Sequence, residues 1–459
     1  MDKFDVIIIG AGQAGNPLST TFAGAKKKIA LIEEKFVGGT CINVGCTPTK
    51  TMIASAEMAA LSRRLSDYGV QSGNILVDIR KIRQRKDSIV SSFRRGSEKR
   101  IEESDVSLIY GHAAFLGPKT VEVILNEGGT RQLTAETIII NSGSRPRIPV
   151  IDGLNEIPFL NSSSIMEIET IPNHLLILGG GYVAVEFGQM FRRFGSRVTI
   201  IQHSSQLIGR EDGDVAQALL EVLQEDGIDV LLNTDPIAVS CGSSAEISLQ
   251  VNTPQGKQTF VGSHLLVAVG RTPNSDTLNL PAAGIDVDQN GYIRVNDHLE
   301  TNVSGIFAVG DVKGGPAFTH IAYDDFRILR SNLLEDGNAS TKGRFVPYVL
   351  FTDPQLGRIG CTETEARKAG LKFQVVKMPM TYVARAIEID KTCGFLKALV
   401  ETDSKQILGA AFLGVEGGEL MSMVEIAMMG KVPYPILRDA IFAHPTLAES
   451  LNNLFAELP

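Results

Sequence analysis

The stretch Phe4-Asp5-Val6-Ile7-Ile8-Ile9-Gly10-Ala11-Gly12-Gln13-Ala14-Gly15 decides the fold. Its apolar run reads as a buried parallel strand, because no polar residue alternates along it. The glycines follow at once, and a helix is predicted to run from there to about Gly24. Pro17 falls in that helix's first turn, where a missing N–H is tolerated. A second strand, Ile29 to Ile32, ends in Glu33. Strand, glycines, helix, strand and acid in this order describe a dinucleotide site. Gly10, Gly12 and Gly15 give the tight turn and close backbone approach, the helix N-terminus favours a pyrophosphate, and Glu33 accepts from ribose hydroxyls.

The pattern recurs. Leu175-Leu176-Ile177-Leu178 leads into Gly179-Gly180-Gly181-Tyr182-Val183-Ala184, a helix to about Arg193, and a strand from Arg197 to Ile201. Here the strand is followed by Gln202 and His203 in place of an acid, with Arg210 shortly after. A carboxylate would repel a 2′-phosphate, whereas His203 and Arg210 can bind one, which favours NADPH over NADH. A third strand ends in Gly310-Asp311. Asp311 reads either as an acceptor for a sugar-like chain or as a plain helix cap. Ile138 to Ser144 and Leu266 to Arg271 share the strand-to-glycine design, at Gly143 and Gly270, and mark where the chain leaves and re-enters one nucleotide domain.

Between the first two units lies Gly38-Gly39-Thr40-Cys41-Ile42-Asn43-Val44-Gly45-Cys46-Thr47-Pro48-Thr49-Lys50. The chain has 459 residues, five of them cysteine, with 43% apolar and 21% charged residues. That is enough for several cores without disulfide staples, and a sparse, odd cysteine count fits a reducing, cytoplasmic setting. A close cysteine pair there points to redox chemistry. Cys241, Cys361 and Cys393 have no motif around them, and no resident metal is expected. A net charge of −8 argues against nucleic acid. The basic run from Arg80 to Arg100 reads as a solvated helix face, with an anionic contact as the alternative. Asp2, Lys3 and Asp5 interrupt any secretory signal, and no stretch reaches membrane-spanning length.

Taken together, these motifs resemble the class I pyridine nucleotide–disulfide oxidoreductases, the family of glutathione reductase, dihydrolipoamide dehydrogenase and mercuric reductase. The resemblance covers essentially the whole chain, including His444-Pro445-Thr446-Leu447-Ala448-Glu449. Phe318 to Phe326 and Pro433 to Asp439 resemble the mercuric-reductase-like branch, on the side of the bacterial reactive-chlorine-resistance flavoproteins, which reduce Cu(II).

The resemblance implies an α/β fold with two Rossmann-like domains and a C-terminal α+β dimerisation domain. FAD would bind 1–145 and 271–345, NAD(P)H 146–270, and 346–459 would form a homodimer. It implies that Cys46 faces the flavin and that Cys41 meets the substrate. Lys50 and Glu186 would pair near the flavin, and Tyr182 would cover it until nicotinamide arrives. His444 and Glu449 would form an acid–base dyad given by the partner subunit. Gly39, Thr40, Lys50 and Gly143 join Gly10, Gly12, Gly15, Glu33, Gly310 and Asp311 in binding FAD. Gly179, Gly181, Tyr182, Glu186, His203, Arg210 and Gly270 would bind NAD(P)H. Mercuric reductases proper replace the dyad and carry C-terminal cysteines. This sequence keeps the dyad and ends Asn452 to Pro459 without one. Three functions stay open: an NADPH-dependent reductase of a metal ion or small disulfide, a dihydrolipoamide dehydrogenase or glutathione-reductase-type enzyme, and a redox-sensing flavoprotein without turnover.

Overall fold

The computed structural model describes residues 1–71, 73–242 and 246–458. The chain divides into two compact units: Met1–Met52, Arg80–Arg147 and Gly270–Arg344 form the first, and Ile53–Ile79, Ile148–Val269 and Phe345–Pro459 the second.

In the first unit, Val6–Ile9 lies between Ile29–Glu33 and Thr137–Ile140, parallel to both. Ile7 and Ile9 enter one hydrophobic core, while Val6 and Ile8 enter another on the opposite face. A strand covered on both sides must be apolar throughout, which is why its sequence does not alternate. Ile306–Ala308 extends the parallel sheet beyond Thr137–Ile140, and Val106–Gly117 extends it beyond Ile29–Glu33. Val106–Gly117 then continues into an antiparallel meander with Thr120–Leu125 and Thr130–Thr134. The Ser144–Pro146 and Arg271–Pro273 strands pair antiparallel, joining the segments where the chain leaves and re-enters this unit.

The turn from Val6–Ile9 into the Gly15–Gly24 helix admits only glycine at two points. A Cβ on Gly10, whose φ is +103°, would sit 2.3 Å from the Asn141 carbonyl oxygen; one on Gly15 would sit 2.1 Å from that of Gly10. We expect Gly15→Val to yield protein without visible flavin absorbance and to lower stability by about 1–3 kcal/mol, read from thermal melts.

The second unit contains a four-stranded parallel sheet in the order Asp229–Leu231, Arg197–Ile201, His174–Leu178, His264–Val267. The Tyr182–Phe194 helix starts directly after Gly181 and buries Val185, Phe187 and Phe191. A three-stranded antiparallel sheet, Asp235–Cys241, Ile247–Thr253 and Gly256–Gly262, follows. Residues from Tyr348 onward form a five-stranded antiparallel sheet with the Gly417–Met429 helix packed on it. Buried Lys397 ties this sheet to the parallel part of the unit through Asp212 at 3.2 Å and Asp214 at 2.9 Å. Among the described residues, no helix is long and apolar enough to cross a membrane.

Candidate active site around the dithiol

Cys41 sits on a short helix, Gly39–Val44, and Cys46 begins the next, Cys46–Arg63. Gly45 makes the break: a Cβ there would lie 2.8 Å from the Thr40 carbonyl oxygen, so only glycine lets the new helix start so close to the last turn. Between the cysteines, the Asn43 amide donates to the carbonyls of Val37 at 3.0 Å and Gly39 at 2.9 Å. Its Oδ1 accepts from Arg94 Nε at 2.7 Å, and the Arg94 guanidinium lies 3.9 Å over the Phe36 ring.

Arg94 belongs to the basic helix, Ile79–Glu102, which the sequence reads as a solvated face. Arg85 of the same helix donates to the Thr51 carbonyl at 2.8 Å. This helix therefore clamps the dithiol loop. We expect Arg94→Ala to slow acceptor reduction about five-fold, the worth of one partly buried charge-assisted hydrogen bond, and to shift the dithiol midpoint potential. Flavin content would stay unchanged, and redox titration checks the shift.

Both cysteines are thiols. Cys46 Sγ lies 3.4 Å from the hydroxyl of Thr319, the first residue of the Thr319–Leu334 helix. Cys46 is itself the first residue of its own helix, so two helix N-termini meet at one sulfur, and their partial positive charge favours a thiolate. The hydrogen bond with Cys46, followed by burial, pushes the Cys41 thiol up. Of the coupled pair, Cys46 is thus the better holder of negative charge. Lys50 lies one turn along the same helix, half-buried.

Around the first fingerprint, Glu33 accepts from the Ala11 N–H at 2.9 Å and the Lys35 N–H at 2.9 Å, which fixes its carboxylate at the strand end; burial pushes it up. Asn141 Nδ2 donates to the Gly10 carbonyl at 2.9 Å, and Asn141 atoms lie beside Gly12, Gly15 and Gly310. Gly39 packs on Gly12. Thr40 is exposed, and Gly143 has φ +71° with open space where a Cβ would stand.

Gly310 donates to Asp325 at 2.8 Å; fully buried Asp325 is neutralised by Lys313 at 3.3 Å and Arg344 at 2.7 Å. Asp311 lies in the first turn of a short 3₁₀ helix and accepts from Ser144 Oγ at 2.6 Å, while Arg271 Nε donates to that hydroxyl at 2.7 Å. No side chain caps the Gly15–Gly24 helix, which leaves its N–H groups for an anion. An uncapped helix, glycines packed too tightly for any Cβ, and acids at the strand ends fit a dinucleotide.

The second fingerprint has the same build. Gly179 takes φ +105°, Gly181 has open space, and the Tyr182–Phe194 helix is uncapped. Gln202 is buried and donates to the Gln206 carbonyl at 3.2 Å. His203 and Arg210 are both exposed, and His203 Nε2 lies 3.1 Å from Ser204 Oγ. Glu186 is buried and accepts from the Phe351 N–H at 2.8 Å. Gly270 has φ +113° at the start of the segment that re-enters the first unit.

Near the C-terminus, Glu449 meets His444 Nδ1 at 2.9 and 3.1 Å. A carboxylate there makes Nδ1 the donor and leaves Nε2 to act as a base. The His444 side chain is 66% exposed.

The sequence reading missed Asn43, Arg94, Asn141, Ser144, Arg271, Thr319 and Asp325. The polar run Asn141-Ser142-Gly143-Ser144, placed straight after an all-apolar strand, carries a signal for two of them. Asp325 lies in the Phe318 to Phe326 stretch that carries the branch resemblance, with no role read for it there, and nothing local marks Arg94, whose partner Asn43 is 51 positions away.

Residues 4–325 match the family described as pyridine nucleotide-disulphide oxidoreductase, and residues 346–455 match that family's dimerisation domain. The chain is 38% identical to the "probable pyridine nucleotide-disulfide oxidoreductase RclA" of Escherichia coli strain K12, covering 99% of each. It is 32% identical to a mercuric reductase of Staphylococcus aureus, over 98% of this chain and 81% of that protein. A solved structure described as the Cu(II) complex of the HOCl-induced flavoprotein disulfide reductase RclA from Escherichia coli superposes with a TM-score of 0.91, at 37% identity over 100% of both chains. Membership brings with it binding of FAD and a pyridine nucleotide, and homodimerisation through the C-terminal domain. The glycine cradles, the paired thiols and these matches lead to one assignment: the chain belongs to the pyridine nucleotide–disulfide oxidoreductase family of enzymes.

Proposed function

We propose that the protein is an NADPH-dependent reductase that passes electrons through Cys41 and Cys46 to a metal ion of the Cu(II) or Hg(II) kind, or to a small disulfide, under metal or oxidant stress. The observation that carries this reading is Cys46 held at two helix N-termini, in a chain that aligns end to end with a reductase solved in complex with Cu(II). The reading assigns FAD to 1–145 and 271–345, NAD(P)H to 146–270 and the dimer contact to 346–459. A cysteine pair that works as a dithiol also supports a reducing, cytoplasmic location.

The chemistry FAD supplies when bound is the transfer of an electron pair between the pyridine nucleotide and the Cys41–Cys46 disulfide. Gly10, Gly12, Gly15, Glu33, Gly39, Thr40, Gly143, Gly310 and Asp311 would hold it, with Lys50 and Glu186 setting the charge beside it. Gly179, Gly181 and Gly270 would receive the nucleotide once Tyr182, which covers the flavin at rest, moves aside, and His203 and Arg210 would bind its 2′-phosphate. Cys46 keeps the negative charge, and Cys41 faces the acceptor. With a disulfide acceptor, His444 of the partner subunit, oriented by Glu449, takes the Cys41 proton as the Cys41 sulfur bonds to one acceptor sulfur, and returns it to the other, which leaves as a thiol. The Cys46 thiolate then displaces the acceptor half held on Cys41, which leaves as a thiolate, and the Cys41–Cys46 disulfide forms. With Cu(II), the pair gives one electron to each of two ions, which become Cu(I), and closes to a disulfide; only the Cys41 proton is released, since Cys46 already carries the negative charge.

The intact His444–Glu449 pair favours a second reading, a disulfide substrate such as lipoamide or glutathione, since only a leaving thiol needs that proton. Anaerobic turnover with NADPH and NADH against Cu(II), Hg(II), oxidised glutathione and lipoamide decides between them. The proposal expects fast metal-ion reduction with NADPH preferred. Efficient lipoamide or glutathione turnover with little metal activity would replace it with the second reading. The absence of turnover with any acceptor would favour redox sensing.

A further inference from the structure

In the second unit, half-buried Tyr182 packs against a cluster anchored by two buried charged side chains. Its ring lies 5.5 Å from that of Tyr348, tilted by 43°. The Tyr348 hydroxyl donates to Glu211 Oε1. Glu211 Oε2 faces Arg358 Nε at 3.5 Å, with the two side chains only 1% and 3% exposed. Arg358 in turn donates to the Ala410 carbonyl at 3.0 Å, which fixes the guanidinium to the five-stranded sheet. Burial, and then the charge of Glu211, pushes the Tyr348 hydroxyl up, so it remains a donor.

An ion pair this deep adds little net stability, because desolvation offsets its attraction; what it can supply is a fixed geometry. The geometry fixed here is that of Tyr348, and Tyr348 is the surface against which Tyr182 rests. Glu211 also directly follows Arg210, the residue assigned to the 2′-phosphate, so the anchor and the nucleotide-facing loop are one segment.

We propose that Tyr348, anchored by Glu211 and Arg358, is a positioning residue that holds Tyr182 in its resting place, so that a pyridine nucleotide must break the Tyr182–Tyr348 contact in order to bind. The inference rests on the reading of Tyr182 as the residue that covers the flavin. Holding Tyr182 at rest makes nucleotide binding weaker than the bare site would allow, and loosening the hold tightens it.

The test is calorimetric titration of the holoenzyme with NADP+, a ligand that binds without turnover. Tyr348→Phe removes one hydroxyl and is expected to lower the NADP+ dissociation constant about five-fold, the worth of one hydrogen bond. Tyr182→Ala should lower it at least as much. The double variant should go no further than Tyr182→Ala alone, since both act through one contact. Glu211→Gln, which weakens the anchor and keeps its shape, should move affinity the same way and decides the matter where Tyr348→Phe does not fold. Tightening by Tyr182→Ala with no change from Tyr348→Phe or Glu211→Gln overturns the inference and leaves the reading of Tyr182 standing. No change from Tyr182→Ala overturns that reading, and the inference with it.

Discussion

Cys41→Ser is expected to leave the flavin fully reducible by NADPH while acceptor turnover falls by about 10³-fold or more, the loss typical when the reacting nucleophile is removed. The reasoning is local. Cys46 sits at two helix N-termini, which suits it to hold charge beside the flavin as proposed, and neither helix N-terminus involves Cys41. Cys41 has the opposite character: Cys46 beside it and burial keep it a thiol until the pair exchanges electrons. Serine keeps the size and most of the hydrogen bonding of Cys41 but cannot form the disulfide. Stopped-flow reduction by NADPH and steady-state acceptor reduction on the same preparation separate the two halves. If the variant still reduced the acceptor at the original rate, electrons would leave without passing through the dithiol.

His444→Ala should divide substrates rather than halves of the cycle. General acid–base catalysis contributes about 10²–10⁴-fold, so a disulfide acceptor should lose that much turnover, because its leaving sulfur would lack a proton donor. A metal ion has no leaving thiol, and its reduction should fall by less than about ten-fold. Glu449→Gln should give a smaller loss with the disulfide, since the amide can still touch Nδ1 but no longer stabilises the charged ring. With His444 supplied by the partner subunit, as proposed, the effect requires the dimer. Mixing His444→Ala with Cys41→Ser chains should restore activity at the one site per dimer that combines an intact cysteine pair with an intact histidine. Equal losses with metal and disulfide acceptors would show that the dyad orients the site generally.

The sequence made the nucleotide-binding folds legible because their signals are local. The apolar run before Gly10, the glycine spacing, and Glu33 closing the next strand all lie within one chain segment, and the structure builds strand, turn, helix and strand in those places. The His444–Glu449 contact was implied by the resemblance, through a motif that also lies within one chain segment. Long-range partners were not. Asn141 closes on Gly10 across 131 positions, Arg94 reaches Asn43 across 51, and Thr319 meets Cys46 across 273. Composition pointed the wrong way for Arg94: a basic, amphipathic helix looks like solvated surface until the loop it clamps is seen. The short Gly39–Val44 helix was not read from the sequence either; Gly38 and Gly45 are the joints at its ends that let two helices meet at the dithiol.

The most direct test of the account is an anaerobic titration of the holoenzyme with dithionite, following the flavin spectrum. If the Cys41–Cys46 pair lies on the electron route, each chain takes up two electron pairs, one for the flavin and one for the disulfide, and the Cys41→Ser chain takes up one. Uptake of a single pair by the unaltered protein, with flavin bleaching complete at that point, would contradict the account.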